Sequence, residues 1–387
     1  MDARIPHYIN LILKPIDDIC NLNCNYCHEK YDQKLLPSNG LISSGTYNNL
    51  PIIQWFPKLL KELKNIPEIK KVNFCWHGGE PLLLPFEFYN RIVKEQRKQL
   101  NDNFFDYENV VITNCMNMDK NKIKWIEKLG FSLSISCDGP TYHHNKERFD
   151  SIHKYQIFRK NLNLVNKESK AFSLHMVINK YSLKDYPAFM NFFEEINPIN
   201  GVALGMCYLK NNILNTKELS DFFCNLFDIW NPKRTPYILL FQEIINGLNY
   251  FPPRYCKIAK NGCISFITVD SNGLLYSGCQ RKEALKIGNI AEINFTDIIK
   301  KHIENIALLN KKIKGKTIYE SSNSDPRFIY FQSKGCPNRL DNKDEDPYLP
   351  VYVNLMNHIS DRLKIDIDLL IKELKERHNV KKTHSLY

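Results

Sequence analysis

The sequence predicts an α/β fold, in which a parallel sheet is covered by helices and is followed by a smaller domain built on a β-hairpin. Strand-like and helix-like stretches alternate through the first half of the chain, a pattern typical of parallel strands joined by crossover helices. The Asn272-Gly273 pair separates two apolar runs, as in a two-stranded hairpin. With 387 residues, the chain is long enough for a large barrel and an appendage.

The first half carries six predicted strands with amphipathic helices between them. Each predicted strand is a short run rich in apolar, β-branched or aromatic residues, and each predicted helix has apolar residues at helical spacing. The strands are predicted at residues 9–13, 71–76, 110–113, 131–136, 172–178 and 201–206, and the helices at 51–63, 86–99, 122–129, 155–165 and 183–196.

Beyond residue 210 the strict alternation ends, and four parts are expected. The barrel-like part covers 1–210, a helical bridge 211–255, the hairpin domain 256–340 and a helical extension 341–387. Within them we predict helices at 216–230, 238–248, 295–309, 351–358 and 367–378, and hairpin strands at 264–269 and 274–276.

Composition limits the possible functions. Twelve cysteines, with no long apolar stretch at the N-terminus, favour metal ligation in a reducing cytoplasm over a disulfide framework. No apolar run approaches the roughly 18 residues of a membrane span. The net charge of +11 is spread thinly along the chain, and no stripe of basic and aromatic residues is present, so a nucleic-acid partner is not expected.

Three thiols lie close together after the first predicted strand. Cys20, Cys24 and Cys27 have the spacing C-x3-C-x2-C. Structural zinc normally takes four protein ligands, whereas a cubane iron–sulfur cluster on three thiolates leaves one iron open to a substrate or cofactor. From these residues alone, a three-thiol zinc loop or a chance grouping remains possible.

This spacing, with Tyr26 directly before the third cysteine, resembles the signature of the radical S-adenosylmethionine (radical SAM) enzymes. The resemblance implies a partial (β/α)6 barrel of the TIM type and a 4Fe-4S cluster on Cys20, Cys24 and Cys27. It also implies that the open iron binds SAM, whose reductive cleavage gives a 5′-deoxyadenosyl radical. In such barrels the chemistry lies at the carboxyl ends of the strands, where the cysteine loop and the motifs described next occur.

The same resemblance assigns a SAM site to residues that follow successive strands. Gly78, Gly79 and Glu80 match the family's GGE motif, in which the glycines allow close approach of SAM and the glutamate accepts from its ammonium group. Tyr26 matches an aromatic position near adenine. Three further matches are implied to contact the ribose or the carboxylate of SAM, and they are Asn114, Ser136 and Arg148.

A second cysteine set surrounds the predicted hairpin. Cys256 and Cys263 precede it, Cys279 follows its second strand, and Cys336 returns from a distance. Four thiolates can enclose either zinc or an iron–sulfur cluster. The arrangement resembles the SPASM and Twitch domains of radical SAM enzymes, which implies an auxiliary 4Fe-4S cluster. A full SPASM domain has a further compact cysteine run that is absent from this sequence, so one auxiliary cluster is expected.

SPASM and Twitch enzymes mostly modify ribosomally made peptides or proteins. We therefore expect a peptide maturase that forms an intrapeptide crosslink, a cyclophane carbon–carbon bond or a thioether, with an electron donor such as flavodoxin or ferredoxin. Formylglycine formation, as in anaerobic sulfatase maturases, is an alternative, but those enzymes carry an aspartate where this chain has Gln280, which cannot act as a base.

Two other activities remain open from the sequence, namely peptide epimerisation and modification of nucleic acid. The nineteen residues before Cys20 are too few for the winged-helix leader-binding domain of many peptide maturases. Any leader peptide is therefore expected to bind the barrel, the bridge or the C-terminal helices.

Overall fold

The computed structural model describes residues 5–29, 47–100, 106–169, 171–208, 213–340 and 343–363. One nine-stranded sheet runs through this part of the chain, in the order β6-β5-β4-β3-β2-β1-β7-β8-β9. The strands are β1 (Tyr8–Leu13), β2 (Lys71–Trp76), β3 (Asp106–Thr113), β4 (Phe131–Cys137), β5 (Phe172–Ile178), β6 (Val202–Met206), β7 (Phe266–Val269), β8 (Leu274–Ser277) and β9 (Lys286–Asn289).

Ten α-helices are present in the described ranges, together with short 3-10 turns. Every predicted helix within these ranges is found, and the prediction at 367–378 lies outside them. The helices are α1 (Ile52–Leu63), α2 (Phe86–Leu100), α3 (Lys120–Lys128), α4 (Ile152–Glu168), α5 (Tyr186–Ile196), α6 (Thr216–Ile229), α7 (Leu239–Leu248), α8 (Phe295–Lys312), α9 (Ile318–Ser321) and α10 (Leu349–Arg362).

The predicted α/β partial barrel is confirmed. Strands β1 to β6 are all parallel, and β1 pairs on its other side with β7 rather than with β6. The six parallel strands therefore form an open row and not a closed barrel. The pairing also means that the sheet passes from the part expected at 1–210 into the part expected at 256–340 without a break.

Strand β2 shows how the sequence separates the two faces of this sheet. Val72, Phe74 and Trp76 are buried, whereas Asn73 and Cys75 between them are partly accessible. Because side chains alternate along a strand, one face packs under the helices and the other lines the inside of the partial barrel. The ring of Trp76 lies 5.8 Å from that of Phe56 on α1, which anchors the helical layer.

The predicted hairpin is present as β7 and β8, and its turn is held by Asp270. The Asp270 carboxylate accepts hydrogen bonds from the backbone N–H groups of Asn272 (2.9 Å) and Leu274 (3.0 Å). Gly273 has a φ of +81°, which suits a residue without a side chain. Ile264 and Ser265, predicted as strand, form a 3-10 turn instead, and β9 was not predicted as a strand.

The C-terminal helix α10 packs on α6 of the predicted bridge. Asn354 donates to the hydroxyl of Ser220 (3.2 Å), and His358 lies 2.7 Å from Asp228. No helix in the described ranges is long and apolar enough to cross a membrane.

Candidate active site

The first cysteine set lies on the loop that leaves β1. The backbone N–H of Leu22 donates to the Cys20 thiol (3.4 Å), and the N–H of Cys27 donates to the Cys24 carbonyl (3.2 Å). Burial, together with the charges of Glu80, Cys24 and Cys27, raises the pKa of the Cys20 thiol to about 12. The three thiols therefore lie close enough to repel one another as thiolates, a repulsion that a bound cation or cationic cluster core would relieve.

The two predicted glycines pack against the backbone just before this loop. The N–H of Gly79 donates to the Asp17 carbonyl (2.5 Å), and the N–H of Glu80 donates to the Ile19 carbonyl (2.9 Å). A Cβ atom on Gly79 would lie 1.8 Å from the Ile19 oxygen, and one on Gly78 would lie 2.5 Å from the Asp17 oxygen. Glycine is thus required here because the segment entering Cys20 is in direct contact.

Glu80 is almost completely buried and holds the ends of two elements together. Its Oε1 accepts from the N–H of Leu82 (2.9 Å) and the hydroxyl of Thr113 (2.8 Å), and its Oε2 accepts from the N–H of Asn114 (2.7 Å). Burial raises the pKa of the Glu80 carboxyl, although these donors oppose the shift. A carboxylate has about four acceptor sites, so one remains for the predicted ammonium contact.

Asn114 supports the cysteine loop directly. Its side-chain amide donates to Asn21 (2.7 Å) and lies 3.7 Å from the Cys20 sulfur, and its oxygen accepts from the N–H of Met116 (2.9 Å). Ser136 lies on β4, in register with His175 on β5. The predicted contacts of Asn114 and Ser136 with SAM remain predictions.

Tyr26 and Arg148 converge on Asp138, a residue to which the sequence analysis gave no role. The Tyr26 hydroxyl donates to the Asp138 carboxylate (2.6 Å), and Arg148 forms a buried ion pair with the same carboxylate (3.0 Å). Arg148 also donates to the Tyr26 oxygen (2.6 Å). Asp138 belongs to the Asp-Gly-Pro turn after β4, which is the signal that could have identified it.

The second cysteine set is gathered by close backbone packing. A Cβ atom on Gly262 would lie 2.2 Å from the Cys256 carbonyl oxygen, so a glycine beside Cys263 allows these two cysteines to approach. The Cys336 N–H donates to Asp346 (2.7 Å), which also pairs with Arg339 (2.5 Å). Asn338 donates to the Cys279 sulfur (3.5 Å).

The four thiols of this set influence one another electrostatically. Burial raises the pKa of the Cys263 thiol, and the charges of Cys256, Cys336 and Cys279 add to that effect. In the part of the chain that the structure describes, no three His, Cys, Asp or Glu side chains are arranged to hold a single metal ion.

The inner face of the sheet opens towards the second set. His175 projects from the inner face of β5 between Ser136 and Ala203 and is exposed to solvent. Although the ring is accessible to water, the surrounding protein desolvates it, and this effect together with the positive charge of Lys257, the residue after Cys256, lowers the pKa of the imidazole to about 4. The imidazole is therefore neutral at pH 7, in a cavity wall made of small residues.

No sequence motif predicted a role for Arg281. It follows Gln280 and contacts carboxylates of the first cysteine loop, including that of Asp17 (3.1 Å). Because the contact joins residues 264 positions apart, no local pattern could have indicated it.

These features together describe an α/β partial-barrel protein with one set of cysteines at the opening of the barrel and a second set beside its inner face. The sequence of residues 15–193 matches the family model of the radical SAM superfamily. This chain carries a radical SAM domain, a domain that works with S-adenosylmethionine and a 4Fe-4S cluster, as the sequence predicted.

The chain is also similar in sequence to known enzymes, and its fold is similar to that of solved structures. The serine-type anaerobic sulfatase-maturating enzyme of Bacteroides thetaiotaomicron is 25% identical over 313 residues, covering 74% of this chain and 72% of the relative. The cysteine-type enzyme of Clostridium novyi is 25% identical over 315 residues, covering 76% and 80%. The structure of native anSMEcpe with bound AdoMet has a TM-score of 0.75 at 21% identity, covering 94% of this chain and 99% of that chain. The complex of native anSMEcpe with AdoMet and Kp18Cys peptide has a TM-score of 0.73 at 20% identity, covering 94% and 99%.

Proposed function

We propose that this protein is a radical SAM maturase that oxidises a side chain of a peptide or protein substrate by two electrons. The observation that carries the proposal is the position of the two cysteine sets. Arg281, two residues after Cys279, contacts the loop of Cys20, Cys24 and Cys27, and Lys257, next to Cys256, influences His175 inside the barrel. Two redox centres beside one cavity suit an oxidation that starts with hydrogen abstraction and ends with electron removal.

Different residues of the chain would have different roles in this oxidation. When bound, SAM and the cluster on Cys20, Cys24 and Cys27 supply the 5′-deoxyadenosyl radical. Glu80 and Asn114 hold the loop that carries these ligands, and the remaining acceptor site of Glu80 suits the SAM ammonium. The second set (Cys256, Cys263, Cys279 and Cys336) would hold one auxiliary 4Fe-4S cluster, the electron acceptor.

Formylglycine formation on a serine or cysteine side chain is the first reaction to test, because the similar curated enzymes are sulfatase-maturating enzymes of both types. The carboxylate expected after the hairpin cysteine is absent, since Gln280 stands there. The imidazole of His175 also faces the cavity, but its pKa of about 4 makes it a weak base, so it does not replace that carboxylate.

An intrapeptide crosslink is the second candidate, and Gln280 is the observation that favours it. A cyclophane or thioether crosslink also removes two hydrogen atoms from the peptide, but it does not require a carboxylate at this position. Epimerisation changes no mass, so mass spectrometry separates it from both oxidations.

The test is anaerobic turnover of the reconstituted enzyme with SAM, a reductant and synthetic peptides that span the modified segment of a sulfatase, in serine and cysteine forms. Formylglycine formation predicts a product whose aldehyde reacts with hydroxylamine. A crosslink predicts the loss of two hydrogen atoms without an aldehyde, on a different peptide. An unmodified sulfatase peptide in the presence of ongoing SAM cleavage would contradict formylglycine formation.

A further inference from the structure

The guanidinium of Arg281 contacts three carboxylates that flank the first cysteine set on both sides. Its Nη1 lies 3.1 Å from Asp17 Oδ1, and its Nη2 lies 3.3 Å from Asp18 Oδ1 and 3.5 Å from Glu29 Oε2. Asp17 and Asp18 precede Cys20, and Glu29 follows Cys27. The side chains of Asp18 and Glu29 are 11% and 5% exposed, so these contacts are largely shielded from water.

The same loop is attached to the hairpin at a second point. Asp17 accepts from the N–H (3.0 Å) and the hydroxyl (2.5 Å) of Ser271, in the turn between β7 and β8. The N–H of Lys14 donates to the Val269 carbonyl (2.9 Å), which continues the pairing of β1 with β7. The hairpin that ends at Cys279 is thus joined to the entry of the first loop by both backbone and side-chain bonds.

The positive charge of Arg281 is what makes it important among the contacts between the hairpin and the first cysteine loop. Lys14 forms a buried ion pair with Glu29, whereas Arg281 pairs with both Asp17 and Asp18. Without the Arg281 guanidinium, Asp17 and Asp18 would lose the cation that they share with Glu29, while Glu29 would keep its contacts with Lys14 and His28. Lysine carries the same charge but has no planar fork with which to contact several carboxylates at once.

We propose that Arg281 is a positioning residue that fixes the geometry of the Cys20–Cys27 loop from the auxiliary hairpin, so that SAM cleavage depends on the second domain. The proposal rests on the proposed role of the first cysteine set and not on the identity of the peptide substrate. It assigns to the hairpin a function that is separate from accepting an electron.

The test compares the wild type with Arg281→Gln and Arg281→Lys, and with Arg234→Gln, which changes an exposed arginine on the loop after α6. With dithionite and SAM but without peptide, Arg281→Gln is expected to lower 5′-deoxyadenosine formation roughly 10- to 100-fold, as for outer partners of metal ligands. Arg281→Lys should fall between it and the wild type, and Arg234→Gln should match the wild type. Wild-type rates in Arg281→Gln would overturn the proposal.

Two further readouts separate positioning from general destabilisation. In the metal-free protein, hydrogen exchange of amides in residues 17–25 should accelerate in Arg281→Gln while the helices α4 and α5 keep wild-type protection. In the reconstituted protein, the change that SAM causes in the electron paramagnetic resonance spectrum of the first centre should be altered. Uniformly faster exchange, or an unaltered spectrum, would overturn the proposal.

A double variant tests the contact itself. Because Asp17→Asn keeps an acceptor for the Ser271 N–H, the Arg281→Gln and Asp17→Asn changes should be non-additive in the rate of SAM cleavage. Additive losses would show that Arg281 does not act through Asp17. Failure of the sulfatase peptide to react leaves these peptide-free measurements unaffected.

Discussion

Arg148 and Asp138 form an ion pair in the interior, with Nη2 and Oδ1 3.0 Å apart and the side chains 8% and 0% exposed. The Tyr26 hydroxyl donates to the same carboxylate. Sequence similarity implied that Arg148 contacts the SAM carboxylate and that Tyr26 lies near adenine. The pair shows that both side chains are also held from the turn after β4, which fixes the cysteine loop against the opposite side of the barrel opening.

Removing one member of this pair should destabilise the fold strongly. Asp138→Asn leaves the Arg148 charge buried without its counter-ion, which typically costs about 3–5 kcal/mol. The control is Asp150→Asn, because Asp150 pairs with Lys154 at 2.7 Å but is 67% exposed, and such surface pairs contribute about 0–1 kcal/mol. Urea unfolding of the metal-free protein measures both. Equal losses of unfolding free energy in the two variants would show that the buried pair stabilises the fold no more than the surface pair does.

Glu80→Gln should weaken SAM binding and also disturb the geometry of the first cysteine loop. The glutamine amide would place N–H donors against the N–H groups of Leu82 or Asn114, which now donate to the carboxylate. Hydrogen bonds to charged groups contribute about 1.5–3 kcal/mol each, so we expect affinity for SAM to fall roughly 10- to 100-fold. Binding is measured by titrating SAM into the reconstituted enzyme. Glu87→Gln, an exposed residue at the start of α2, is the matched control and should bind normally.

Gln280→Asp tests the missing carboxylate directly. If the cavity performs formylglycine chemistry, an aspartate after Cys279 should raise the yield of aldehyde on a sulfatase peptide, while Gln280→Asn should not. The measurement is hydroxylamine-reactive product per 5′-deoxyadenosine formed, which corrects for any effect on SAM cleavage. An unchanged ratio in Gln280→Asp would favour the crosslinking reaction.

Stability should fall between about pH 6.5 and pH 4, in part through His302. His302 is fully buried on α8, and its Nε2 lies 2.8 Å from the Ile264 carbonyl. Burial lowers its pKa from 6.5 to about 4, although the Ile264 contact opposes the shift. Between pH 6.5 and pH 4, His302 is therefore protonated in the unfolded chain but neutral in the folded chain. The free energy of unfolding falls progressively as the pH drops through this range.

The shift corresponds to about 3 kcal/mol over that range. His302→Gln can still donate to the Ile264 carbonyl but does not titrate, so its free energy of unfolding should depend less steeply on pH than that of the wild type. Urea unfolding at several pH values gives the slope. The same slope in both proteins would exclude His302 as a contributor.

Much of the fold followed from local sequence patterns, because strands such as β2 and β5 carry alternating or continuous apolar residues that bury one face. The hairpin was predicted from Asn272-Gly273, but its pairing with β1 was not, since the register between β1 and β7 depends on residues 256 positions apart. Motif residues were located for the same local reason. Their partners were not, because Asp138 and Arg281 act through contacts between distant segments, and Glu80 has structural contacts beyond those that its motif implies.

Anaerobic SAM cleavage is the decisive measurement for the proposed radical SAM chemistry. The reconstituted wild type, with about eight iron atoms per chain for two clusters, should convert SAM to 5′-deoxyadenosine when dithionite is added, and Cys20→Ser should abolish this. Cys279→Ser should lose about half of the iron and form less modified peptide per 5′-deoxyadenosine, whereas Cys224→Ser on α6 should behave as the wild type. If the wild type binds iron but forms no 5′-deoxyadenosine, this protein is not a radical SAM maturase.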